Sequence, residues 1–90
     1  PVAKSAIISP SAKLGGGCIV GPGAVIGDGC VIGEGCIIGA NAVLEPMVKV
    51  GSHTHIQPLV FIGHSCEIGS RCIIKPNTTI GGDGFGYAQD

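Results

Sequence analysis

Residues 20–37 read Val20-Gly21-Pro22-Gly23-Ala24-Val25, Ile26-Gly27-Asp28-Gly29-Cys30-Val31 and Ile32-Gly33-Glu34-Gly35-Cys36-Ile37, three hexapeptides that align without a gap. Each hexapeptide starts with an aliphatic residue followed by Gly, and it carries Gly again at the fourth place and a small residue at the fifth. A period of six fits neither the period of an amphipathic helix nor the alternation of a long strand. These residues therefore predict a repeating unit in which a very short strand alternates with a tight corner.

The same period extends over almost the whole chain. Every sixth residue from Val2 onward is aliphatic, and this first-place column consists of Val2, Ile8, Leu14, Val20, Ile26, Ile32, Ile38, Leu44, Val50, Ile56, Ile62, Ile68, Ile74 and Ile80. The second place is Gly in nine of these fourteen hexapeptides, and the fifth place holds only small residues such as Ala, Cys, Thr and Val. The first and fifth places therefore predict two inward positions, a roomy one and a cramped one.

Three such hexapeptides close one triangular coil of eighteen residues, and successive coils stack at the strand spacing of roughly 4.8 Å. The fourth place carries Gly17, Gly23, Gly29, Gly35, Asn41 and Asn77, and Gly and Asn tolerate the positive φ that a tight corner needs. The prediction is an all-β parallel β-helix over residues 1–80. The period of six does not itself determine the hand of the coil. The general rule for parallel crossovers would favour a right-handed coil.

Composition and charge narrow the function classes. The net charge is −1 and only 12% of the residues are charged, so the chain offers no basic surface for nucleic acid. It has no apolar run of eighteen residues, and we therefore expect no transmembrane segment. The high aliphatic content and low net charge exclude intrinsic disorder as the ground state.

All five cysteines occupy the cramped fifth place, where we interpret them as small hydrophobic residues with free thiols. Cys18 and Cys36 lie one coil apart and are close enough for a disulfide. Their parallel Cβ directions and a cytoplasmic setting argue against it. No pair of cysteines has the spacing of a zinc site.

The sixth place points outward, and sorting it by coil gives three different faces. One face carries Ile7, Val25, Val43 and Phe61, a second carries Ile19, Ile37, His55 and Ile73, and a third carries Lys13, Val31, Lys49 and Glu67. Two apolar faces beside one polar face indicate two covered faces. A closed threefold assembly covers two faces of each subunit at once, so we predict a homotrimer with the eight residues of the first two faces at the subunit interface.

The hexapeptides resemble those of the hexapeptide-repeat acyltransferases. That resemblance implies a left-handed β-helix built as a triangular prism, and it agrees with a trimer. The repeat stops at Ile80, and the chain closes with Gly81-Gly82-Asp83-Gly84-Phe85-Gly86-Tyr87-Ala88-Gln89-Asp90. We expect residues 81–90 to leave the prism as a loop. The simplest interpretation of this segment is an ordinary break in the repeat.

The closing segment is also similar to one found in the UDP-3-O-(3-hydroxyacyl)glucosamine N-acyltransferase family of lipid A biosynthesis. This resemblance implies a bacterial, cytoplasmic enzyme. It moves a 3-hydroxyacyl group from acyl carrier protein to the glucosamine amine of a UDP-sugar, with a His as general base and no metal or other cofactor. Asp83, Phe85 and Tyr87 become candidate substrate-binding residues. The family's N-terminal domain has no counterpart here, and its catalytic His lies beyond residue 90. We therefore expect the chain to be part of a longer enzyme and inactive alone.

Three interpretations of His53, His55 and His64 stay open. They are surface or interface residues without chemistry, or His64 is a general base, or the three bind a metal shared between chains, as in the similar β-helical carbonic anhydrases. The segment His64-Ser65-Cys66-Glu67-Ile68-Gly69 resembles the turn in which hexapeptide acyltransferases often carry their base. Two alternatives to the lipid A reaction follow: an acetyl-CoA-dependent sugar O- or N-acetyltransferase with His64 as base, and a structural, trimer-forming β-helix without catalysis.

The predicted interface gives a direct test. We expect Phe61→Lys to weaken association more than Lys49→Glu, because Phe61 is the one large aromatic side chain in the two apolar columns. Lys49 belongs to the polar face and serves as the control. Light scattering at micromolar concentration measures the association state, and a monodisperse monomer of the unaltered chain would contradict the predicted trimer.

Overall fold

A computed structural model describes residues 1–81, and these residues form thirteen two-residue strands and no helix. The strands are β1 (Ile7–Ile8), β2 (Lys13–Leu14), β3 (Ile19–Val20), β4 (Val25–Ile26), β5 (Val31–Ile32), β6 (Ile37–Ile38), β7 (Val43–Leu44), β8 (Lys49–Val50), β9 (His55–Ile56), β10 (Phe61–Ile62), β11 (Glu67–Ile68), β12 (Ile73–Ile74) and β13 (Thr79–Ile80). Each strand joins an outward sixth-place residue to the inward first-place residue that follows it.

The strands stack into three parallel sheets, which form the three faces of the coil. The orders are β1-β4-β7-β10-β13, β3-β6-β9-β12 and β2-β5-β8-β11. Within each sheet, a strand residue pairs with the strand residue eighteen further along, as Val25 pairs with Val43 and Val43 with Phe61. We call the three sheets the Phe61 face, the His55 face and the lysine face. The all-β parallel β-helix of eighteen-residue coils is confirmed, and the stacking is consistent with the left hand.

The aliphatic first-place column forms one continuous core. Its central members, from Val20 to Ile62, are almost fully buried together with the small fifth-place residues such as Cys30 and Ala42. Members near both ends, such as Ile8 and Ile80, are half-buried against this core. Val2 is the exception at 50% exposure, because it meets the prism only through an isolated bridge to Val20.

The corners hold more strain than the residue types predict. All eleven fourth-place residues from Gly17 to Asn77 have φ between 57° and 74°, and seven of them are not Gly. Positive φ was predicted at Gly and Asn, and it extends to Met47, His53, Leu59, Ser65 and Arg71. This conformation costs a non-glycine residue about 1–2 kcal/mol. A hydrogen bond offsets this cost, because a fourth-place N–H can donate to the coil below, as the N–H of His53 does to the carbonyl of Glu34 at 2.8 Å.

The third place of the corner explains the prolines. Five of the six prolines stand there: Pro10, Pro22, Pro46, Pro58 and Pro76. Within residues 1–81, no backbone carbonyl accepts a hydrogen bond from the N–H of a third-place residue. Proline suits this place because it has no N–H to satisfy.

The fifth-place side chains also donate hydrogen bonds. The thiols of Cys18 and Cys36 donate to the carbonyls of Gly33 and Gly51, at 3.2 and 2.9 Å. Thr54 donates its hydroxyl in the same way to the carbonyl of Gly69 at 2.6 Å. Each acceptor lies fifteen residues further along the chain, on the corner one coil above. Small size is therefore only part of what this place selects.

The five cysteines are free thiols, as predicted. Cys18, Cys30 and Cys36 are buried, whereas Cys66 and Cys72 are half-buried. Burial raises the pKa of the Cys30 and Cys36 thiols above the ordinary value. A raised pKa lowers the fraction of reactive thiolate at neutral pH.

Alkylation should therefore divide the cysteines into two groups. We expect Cys66 and Cys72 to react first with a thiol reagent, and Cys18, Cys30 and Cys36 to react only as the chain unfolds. Mass spectrometry of the alkylated peptides over time measures the order. Rapid modification of all five in the folded protein would contradict the inward placement.

The Thr54 hydrogen bond should be visible in stability. We expect Thr54→Val to lower the free energy of unfolding by about 1–3 kcal/mol, because the buried Thr54 hydroxyl donates to the carbonyl of Gly69 and accepts from the N–H of Cys72, and valine does neither. Thr54→Cys, which restores the donor found at Cys36, should cost less. Thr79→Val on the exposed side of β13 is the control. Urea unfolding measures all three, and an unchanged midpoint for Thr54→Val would show that the bond does not stabilise the prism.

Candidate active site

The structure places the three histidines in different settings. His53 lies on the corner between the lysine face and the His55 face, His55 points outward from β9, and His64 lies on the corner after β10. Within residues 1–81, no three His, Cys, Asp or Glu side chains are grouped so that they could hold a metal ion. A metal site formed by histidines of two or more chains stays a hypothesis, because the structure contains one chain.

His53 has a local structural partner. Its ring lies over Gly35 of the coil below, in space that a Cβ on Gly35 would need. The ring Nε2 lies 3.8 Å from Oε2 of Glu34, and both side chains are well exposed. An exposed pair of this kind contributes little to stability. The geometry fits the interpretation of His53 as a surface residue.

His55 lies on the face that we predict to form the subunit interface. It pairs with Ile37 on one side and Ile73 on the other, and it is half-buried. The exposed members of the predicted interface are Ile7 at 66%, Ile19 at 42%, Ile37 at 37% and Ile73 at 62%, while Val25, Val43 and Phe61 are half-buried. On the lysine face, Val31 is exposed to a similar extent, at 44%. The interface itself stays a prediction.

His64 stands on a corner whose backbone is held from two directions. The N–H of Ser65 donates to the carbonyl of Pro46 in the coil below at 3.1 Å, and the N–H of Cys66 donates to the carbonyl of Gly63 at 3.2 Å. Ser65 has a φ of 64°. The imidazole is exposed while the backbone that carries it is fixed.

The side chains around His64 form a small network. The backbone N–H of His64 donates to Oε1 of Glu45 at 3.1 Å, and the ring Nδ1 lies 2.9 Å from the Ser65 hydroxyl. Among residues 1–81, no hydrogen bond engages the ring Nε2. A histidine with one nitrogen held and the other open can accept a proton from a neighbouring group.

Glu45 was missed by the sequence analysis. It stands nineteen residues before His64, at a second place that the repeat usually fills with Gly. That departure from the repeat was the available signal. Its meaning becomes visible only when the coils are stacked.

Three further observations concern what the described residues contain around this site. Asp83, Phe85 and Tyr87, the candidate substrate-binding residues, lie outside the described residues. The part of the chain that the structure describes encloses no cavity for a small molecule. It also contains no helix that is long and apolar enough to cross a membrane.

The stacked hexapeptides and the exposed corner together define a hexapeptide-repeat β-helix protein. A family model described as "GMPPB C-terminal domain" matches residues 2–84, and the chain belongs to this family. A search of curated proteins gave no match.

Two solved structures are similar to this chain in fold. The acetyltransferase domain of PglB from Neisseria gonorrhoeae is 24% identical over 89% of this chain and 42% of that one, with a TM-score of 0.72. A mutant of GDP-perosamine N-acetyltransferase from Caulobacter crescentus, in complex with CoA and GDP-perosamine, is 31% identical. That match covers 91% of this chain and 42% of the other, with a TM-score of 0.61. The chain thus spans less than half the length of these relatives.

The comparisons support the predicted resemblance at its coarser level. The relative that is 31% identical is an acetyltransferase by name, which agrees with the resemblance to the hexapeptide-repeat acyltransferases. The comparisons do not show a particular closeness to the lipid A N-acyltransferase family. That finer assignment remains a prediction from the closing segment.

Proposed function

We propose that the chain is part of an N-acyltransferase that moves an acyl group from a thioester to the amine of a nucleotide-linked amino sugar. The observation that carries this proposal is the 31% identity, over 91% of the chain, with GDP-perosamine N-acetyltransferase, which was solved with CoA and GDP-perosamine. Because the chain spans 42% of that relative, the proposal concerns the native polypeptide to which the chain belongs.

The proposed reaction needs one base and no redox chemistry. The amine nitrogen attacks the thioester carbonyl carbon, so that a C–N bond forms and the C–S bond breaks. The amine gives its proton to the base, and the leaving sulfur takes up a proton as it departs. A neutral imidazole suits this task because its basicity lies near neutral pH.

Two versions of the reaction differ in donor and base. In the first, the donor is a 3-hydroxyacyl group on acyl carrier protein, the acceptor is a UDP-glucosamine derivative of lipid A biosynthesis, and the base lies beyond residue 90. The resemblance of the segment from Gly81 to Ala88 to the lipid A family supports this version. In this version the enzyme is a cytoplasmic homotrimer. In the second, the donor is acetyl-CoA and His64 is the base. The CoA bound to the relative and the held, exposed imidazole of His64 support it.

One set of assays separates the versions. The native polypeptide is supplied with acetyl-CoA or 3-hydroxyacyl carrier protein and with UDP- or GDP-linked amino sugars, and the amide product is detected by mass spectrometry. His64→Ala should leave turnover nearly unchanged in the first version. It should lower kcat about 10²- to 10⁴-fold in the second, because a general base is lost.

His53→Ala is the matched control, since His53 is also an exposed corner histidine but has its ring paired with Glu34. It should leave turnover unchanged in both versions. Absence of any amide product with either donor would count against acyl transfer and favour a structural β-helix.

A further inference from the structure

Glu45 and Ser65 both contact His64 at its corner. Glu45 occupies a second place, which is Gly in nine of fourteen hexapeptides. His64 occupies a third place, which on the same corner holds Pro10, Asp28 and Pro46 in the other coils. Ser65 occupies a fourth place with a φ of 64°, and the other coils carry Ser11, Gly29 and Met47 at this corner. Breaks in a local rule often occur where function requires them, and here the departure at Glu45 contacts the backbone of His64.

The contact between Glu45 and His64 gives the backbone N–H of His64 an acceptor. Within residues 1–81 the third-place N–H finds no backbone carbonyl, and proline, which has no N–H, occupies five of the thirteen third places. At His64 the N–H instead donates to the Glu45 carboxylate at 3.1 Å. A hydrogen bond to a charged acceptor is about twice as strong as one between neutral groups. Glu45 therefore adds a third restraint to the backbone from which the imidazole projects.

The contact between Ser65 and His64 bears on the tautomer and the orientation of the imidazole ring. When the Ser65 hydroxyl accepts from Nδ1–H across 2.9 Å, the proton of the neutral imidazole is held at Nδ1. Nε2 is then unprotonated and can accept a proton from a substrate. Since Ser65 is the next residue on a fixed corner, the hydrogen bond also limits rotation of the ring.

We propose that Glu45 and Ser65 are positioning residues that hold His64 as a proton acceptor through Nε2. Glu45 acts on the backbone and Ser65 on the ring, and neither touches the substrate. The inference rests on the proposed N-acyl transfer in its acetyl-CoA version. In that step the attacking amine transfers its proton to Nε2 as the C–N bond forms, and His64 then passes the proton to the leaving sulfur of CoA.

The test uses the native polypeptide and combines kinetics with NMR of labelled histidine. Glu45→Ala and Ser65→Ala should each lower kcat about tenfold with KM changed less than twofold, because misplacing a catalytic group slows the reaction more than it weakens binding. Glu45→Gln keeps an oxygen acceptor for the His64 N–H and should restore most of kcat. Glu34→Ala, which removes the corner glutamate beside His53, is the matched control and should change neither constant.

NMR measures the protonation of the two His64 ring nitrogens directly. The ¹⁵N shifts of His64 should show Nδ1 protonated in the parent, and Ser65→Ala should move the ring toward a mixture of tautomers. Thermal melting checks that each variant keeps its fold.

The outcomes separate the two proposals. If the parent transfers acyl groups but the variants change neither kcat nor the His64 ring signals, the positioning roles are overturned and the proposed function stands. If the parent transfers no acyl group from acetyl-CoA, this version of the proposed function fails, and the catalytic use of the corner fails with it.

Discussion

Adjacent coils lie at the spacing of paired strands, and this short distance decides which residues each corner accepts. A Cβ added to Gly15 would lie 2.5 Å from the backbone nitrogen of Glu34 in the next coil, and one added to Gly33 would lie 2.7 Å from that of Ser52. Real Cβ atoms do not approach a backbone so closely, so Gly at these second places is a condition of stacking. The core column, the three faces and the corner hydrogen bonds all depend on coils that can come this close.

The same spacing explains how the chain changes along its length. The four fourth-place corners from Gly17 to Gly35 are Gly, and the side chains of the coil above lie over three of them: Asn41 over Gly23, Met47 over Gly29 and His53 over Gly35. From Asn41 onward every fourth place carries a side chain despite its positive φ. The bare corners of one coil thus accommodate the side chains of the next. The His64 corner belongs to the upper part of the prism, where side chains replace glycines.

The period of six was enough to predict the coil, because inward and outward places repeat whatever the individual residues are. It was also enough to place His64 on a corner. It could not predict positive φ at Leu59 or Arg71, because stacking imposes that conformation on residue types that do not favour it. Nor could it show that Thr54 donates to Gly69, or that Glu45 reaches His64, because those partners come together only through the rise from one coil to the next.

The fixed register of eighteen residues limits how a protein of this kind can change in length during evolution. Removing one whole coil would preserve the inward column and keep each outward residue on its own face. A gain or loss of six residues would keep the core but turn all later coils by one face, so that the stripe of Phe61 would continue on a different side. A change of one residue would place polar side chains inside. Insertions are therefore confined to the corners, where extra residues can loop outward without shifting the strands.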